Sequence, residues 1–118
     1  MLELLVVLVG VGVLGGAALL VATLPPLTLL YGAAGLSGLG CLLGFPFGAL
    51  YHLVLRRELL RQGPLPRGWI WHPTRLHGQL APEGLARVRP WFVLGALGFL
   101  LVMLGAGLAT VTLATHFR

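Results

Sequence analysis

The chain has 118 residues, of which 58% are hydrophobic and 9% charged, and its mean hydropathy is +0.96. Ordinary soluble domains carry roughly a quarter charged residues, so water is excluded as its main solvent, and its length leaves room for no soluble domain beyond one loop. All charge is arginine against glutamate, with a formal net of +5; beside long apolar runs this points to anionic lipid headgroups and away from nucleic acid.

The first apolar run, Leu4 to Leu24, holds no charged residue and ends at Pro25-Pro26. It reaches the roughly 20 residues that a helix needs to cross hydrocarbon. A cleaved secretory signal fits poorly: Glu3 precedes the run, no Arg or Lys does, the apolar stretch is long, and no clear small-x-small site follows it. Glu3 followed by Leu4-Leu5-Val6-Val7-Leu8 resembles the amino-terminal helix of type IV pilins. That family has a charged leader and a cleavage glycine, both missing here, and a globular head where this chain has two more apolar runs. The resemblance therefore implies an apolar helix and no pilin role.

The second run, Leu27 to Leu55, is longer than a bilayer core requires. Two features absorb the excess. Gly44-Phe45-Pro46-Phe47-Gly48 contains a proline that removes a backbone donor and predicts a kink. A polar continuation to about residue 62 carries Arg56, Arg57 and Arg61, and Gly63-Pro64 marks the stop. From 63 to 90 the chain turns polar and is interrupted by Pro64, Pro66, Pro73, Pro82 and Pro90, which predicts a loop with one short helix over Pro82 to Arg89. A third run follows from Trp91 to Ala114, then the tail His116-Phe117-Arg118.

The expected fold is therefore an all-α integral membrane protein, one membrane domain of three transmembrane helices (4–24, 27–55 extending to about 62, and 91–114) with one Arg/Trp-rich interfacial loop. Seven of the eight arginines, Arg56, Arg57, Arg61, Arg67, Arg75, Arg87 and Arg89, lie between the second and third runs, and none lies in the Thr23 to Thr28 hairpin. Positive charge marks the cytoplasmic side. The expected location is the cell (inner) membrane, with loop and amino terminus cytoplasmic and the carboxyl terminus opposite.

Small residues crowd every run: Gly12 and Gly16 in the first, Gly40, Gly44 and Gly48 in the second, Gly95, Gly98, Gly105 and Ala109 in the third. Spacings of four put glycines on one stripe and let helix backbones approach closely where the hydrophobic effect cannot help. These positions are the expected helix-packing sites, the Gly40-Gly44-Gly48 row foremost. Trp69, Trp71 and Trp91 bracket the loop, and indole rings favour the membrane interface. With the seven arginines they form the expected lipid-headgroup set.

Chemistry is poorly supplied. His72 and His77 flank Pro73 and do not match the spacing of a helical metal pair; His52 and His116 lie at opposite ends of the expected topology. Ser37 has no nearby base, and Cys41 stands among apolar residues that keep a thiol inert. Arg75, His77 and Glu83 could hold a phosphate and move a proton, but nothing in their spacing singles them out. No catalytic residue, metal or cofactor is expected. The expected function is that of a non-catalytic accessory subunit of a larger membrane complex, its partners being anionic lipids and other transmembrane helices, or copies of itself. A homo-oligomeric channel or carrier is the alternative. It is weakened by the lack of an ionisable residue in mid-span and of the membrane-embedded Glu of small multidrug carriers.

Overall fold

The computed structural model describes residues 1–117, and Arg118 lies outside them. Three helices, α1 (Leu2–Thr23), α2 (Pro26–Gln62) and α3 (Pro82–His116), are joined with one 3-10 helix (Pro73–Gln79), and no strand occurs among the described residues. Each α-helix is long and apolar enough to cross a membrane. In hydrocarbon a helix is the form that lets an open chain satisfy its backbone groups internally.

Helix α1 ends where Pro25 and Pro26 cannot continue the ladder: the last bond runs from the Leu24 N–H to the Leu20 carbonyl at 2.9 Å. Pro26 then opens α2, since its missing N–H costs nothing at a first helical position. Helix α2 has 37 residues and runs through Pro46, whose ring deprives the Leu42 carbonyl of its partner. At ~1.5 Å per residue it is ~55 Å long against a ~30 Å core. The polar stretch from Arg56 onward, ~10 Å of helix, accounts for part of the excess. It stops at Gly63, whose φ of +150° a side chain would disfavour.

Helix α3 departs from the expected layout. It begins at Pro82 and continues without interruption to His116, so the stretch 82–89 is its first turns and no separate helix, and the connection is 63–81 instead of 63–90. Pro82 occupies a first helical position, as Pro26 does. Pro90 lies inside the helix and withholds a donor only from the carbonyl of Ala86, which is exposed and can be satisfied from outside.

The contacts divide the chain into two compact units, residues 39–102 and the two ends around them, Met1–Gly38 with the stretch from Met103. In the terminal unit Leu29, Ala33 and Thr112 are buried. The Thr112 hydroxyl donates to the Leu108 carbonyl at 2.7 Å, which removes the cost of burying it. Gly105 permits close approach here, because a side chain would run into Ser37 Oγ and stand 2.6 Å from the Ala33 carbonyl. Helix α1 has no buried residue.

The unit 39–102 is a hairpin of α2 and α3 with the connection folded back over its end. Its core lies at that end: Tyr51, Leu55 and Leu59 of α2, Leu76 and Leu80 of the connection and Val88 of α3, flanked by Leu65, Trp69, Leu85, Trp91 and Phe92. Residues 63–81 thus form a cap on the two helix ends. A turn at Gly68, φ +71°, starts the fold-back; its carbonyl accepts from the Trp71 and His72 N–H groups at 3.0 and 3.2 Å.

Candidate functional site at the arginine-rich end

The polar chemistry of the chain converges on this capped end. Glu58, on the continuation of α2, is 5% exposed. Its carboxylate accepts from Arg87 Nη1 at 3.2 and 3.1 Å and pairs with Arg61 at 3.3 Å. It also lies against the first turn of α3, where a Cβ added at Gly84 would stand 3.1 Å from Oε2. A helix N-terminus carries partial positive charge, so three sources of it surround this one acid. With its amide oriented so that both atoms meet complementary groups, Gln62 ties the cap down: the nitrogen donates to the Gln79 carbonyl at 2.7 Å and the oxygen accepts from the Ala81 N–H at 2.9 Å.

An aromatic cluster stands one to two turns toward the apolar part. Tyr51 Oη and His77 Nε2 are 2.7 Å apart. With Tyr51 donating its hydroxyl proton, the neutral imidazole carries its own hydrogen on Nδ1. Phe92 packs against both rings, at centroid distances of 5.4 Å from Tyr51 and 5.2 Å from His77. His52 Nδ1 lies 2.9 Å from the Gly48 carbonyl and must be the donor, since a carbonyl only accepts. Trp91 stacks on Phe47 at 6.0 Å. Burial, helped by the nearby Arg89 charge, holds His77 below its ordinary 6.5.

That shift has a sign. Between its folded midpoint and 6.5 the unfolded chain binds more protons at this site, so stability falls as pH drops through that window and is fully retained above it. Thermal unfolding in detergent should show a midpoint that decreases from about pH 7.5 to about pH 5.5, less so in His77→Gln. An equal decrease in both proteins would assign the effect to other groups.

The sites read from the sequence are distributed unevenly. Gly40, Gly44, Gly48, Gly95 and Gly98 meet in the seam between α2 and α3: a Cβ at Gly98 would strike the Gly44 backbone, one at Gly40 would stand 2.6 Å from the Gly98 carbonyl, and one at Gly95 would lie 3.3 Å from the Gly48 nitrogen. Gly40 and Gly44 thus face this chain's own α3, whereas a side chain at Gly48 would meet nothing within 4 Å. Gly105 lies in the other unit, and side chains at Gly12 and Gly16 would meet nothing within 4 Å. Trp69 and Trp91 are partly buried against the cap core, whereas Trp71 is 81% exposed. All seven arginines are exposed; Arg61 and Arg87 are paired to Glu58. His77 is brought to Tyr51, Phe92 and Arg89 in place of Arg75 and Glu83.

Glu58, Tyr51 and Gln62 escaped the sequence reading as site residues. Glu58 alone left a signal, as one of just two acids among seven arginines in that stretch. Among the described residues no group of three or more His, Cys, Asp or Glu side chains could hold a metal ion. The arrangement can hold a cap closed and present cationic side chains. No protein family, curated protein or solved structure matches this chain.

Proposed function

We propose that the chain is a non-catalytic small subunit of a larger complex in the cell (inner) membrane, inserted through its three apolar helices. The observation that carries the reading is α1: it has 22 residues and none is buried. The glycine seam of α2 and α3 is occupied within the chain, but Gly12 and Gly16 leave open space on α1, where a partner helix can approach as closely as glycine allows. A Cβ added at either position meets no other atom of this chain within 4 Å. Gly12→Leu and Gly16→Leu should therefore insert and fold normally, yet release a larger polypeptide that co-purifies with the wild type in mild detergent. If every association survives, α1 faces lipid alone and the reading fails. If the lost partner is a second copy of this chain, the homo-oligomeric channel or carrier takes its place.

The proposed orientation puts the arginine-rich cap and the amino terminus in the cytoplasm, because all seven of these arginines stand on the connection and the helix turns beside it. In a Cys41→Ala background, Gln79→Cys should label only from the cytoplasmic side and Leu27→Cys only from the opposite one. Labelling of position 79 from outside intact cells would reverse the assignment.

A further inference from the structure

Between the cap and α3 lies a cleft of about 280 Å³ lined by His77, Leu85, Arg89, Phe92 and Val93. Its lining is of two kinds. Arg89 and His77 supply donors, while Leu85, Phe92 and Val93 supply apolar wall. Phe92 and Val93 follow Arg89 along α3 in the direction of its apolar run, so a molecule seated there would meet the charge at one end and hydrocarbon surface beyond it.

The donors are uncommitted. Arg89 has no hydrogen bond or ion pair among the described residues, because Glu58, the buried acid of this end, is taken by Arg61 and Arg87. His77 engages Tyr51 through Nε2, and its Nδ1–H has no partner among those residues. The ionisable groups that face His77 are Tyr51 from α2 and Arg89 from α3, and neither is an acid. Arg67 and Arg75 are exposed on the cap and do not line this cleft.

We propose that this cleft is a binding site for one anionic phospholipid, its phosphate held by Arg89 and the His77 Nδ1–H and its acyl chain laid along Phe92 and Val93. Charge complementarity selects the occupant: an unpaired guanidinium forms charge-assisted hydrogen bonds with phosphate, and the apolar wall gives no purchase to a free anion. A zwitterionic lipid would bring a second cation beside Arg89. The site rests on the membrane reading above and gives the headgroup contact one address instead of spreading it over seven arginines.

The test uses the full chain in neutral micelles with equal amounts of phosphatidylglycerol and phosphatidylcholine, and counts retained lipid by native mass spectrometry. One phosphatidylglycerol should be retained selectively. Arg89→Gln should weaken retention about fivefold, the share of one arginine at an anionic surface, and Val93→Trp should block it by filling the cleft without changing charge. Arg67→Gln, with the same loss of charge, should leave it unchanged. On lipid binding the His77 ring should titrate at higher pH, which net charge elsewhere on the cap would not produce. Equal retention of phosphatidylcholine, an equal effect of Arg67→Gln, or displacement by millimolar inorganic phosphate would overturn the site. Carbonate extraction of each variant keeps the two readings apart: a wild-type chain that is extracted fails the membrane reading, whereas an inserted chain without selective retention fails the cleft alone.

Discussion

Gly98→Ala should destabilise the hairpin of residues 39–102 more than the same change at Gly40, Gly44, Gly48 or Gly95. The added carbon would collide with the Gly44 backbone and stand 2.9 Å from the Gly40 carbonyl. Both obstacles are main chain, so no side-chain rotation relieves them and the helices must move apart. Overpacking of this kind costs about 1–3 kcal/mol. The seam grades its own controls. Gly40→Ala meets the Gly98 carbonyl at 2.6 Å and the Val102 nitrogen at 2.7 Å and should follow closely; Gly44→Ala finds its nearest atom at 3.5 Å, an ordinary contact, and Gly12→Ala finds none within 4 Å. Thermal unfolding in one detergent should rank the four as Gly98, Gly40, Gly44, Gly12. A Gly44→Ala change as costly as Gly98→Ala would show that the seam is not packed as described.

The second large effect lies at Glu58. Arg87→Gln leaves a carboxylate whose side chain is 6% exposed with Arg61 as its sole remaining cation, and uncompensated buried charge is expensive. The arginines are about half exposed and can take up water when the acid is removed, which reduces the cost of Glu58→Gln. With that discount either single change should destabilise by about 1–2 kcal/mol, between the values for surface and buried pairs. The double variant should cost clearly less than the sum. Raising salt should leave most of the coupling intact, because a buried carboxylate is poorly screened. Additivity within about 0.3 kcal/mol would mean that the pair contributes nothing.

The three apolar helices were legible in the sequence because lipid imposes one rule on every spanning segment, a charge-free stretch of about twenty residues. Pro25-Pro26 and Gly63 marked their ends for local reasons. The continuity of α3 was not legible. Pro82 read as the first turn of a short helix, but Pro90 read as its end, although it gives up a bond only to the carbonyl of an exposed residue, and the helix runs on through it. The glycine positions were visible, but not whose helix they touch, since spacing defines a stripe and says nothing of what lies across it. Least legible was the cap core. Tyr51, Leu55 and Leu59 read as the close of a span, and only the fold-back at Gly68, which brings Leu76, Leu80 and His77 over them, turns that stretch into an interior. The same distance in sequence hid Glu58, whose partner Arg87 is 29 residues away.

That core gives one short hairpin two different responses to its solvent. In a bilayer, α2 outruns the hydrocarbon by its polar continuation, so Leu55, Leu59, Leu76, Leu80 and Val88 are sheltered from water, while the glycine seam is sheltered from nothing more polar than lipid. The cap is then held by a force with a large heat capacity that fades on cooling and yields to urea. The seam rests on contact between close surfaces and has neither property. On that reading, cold or mild urea should loosen the cap before the helix seam below it.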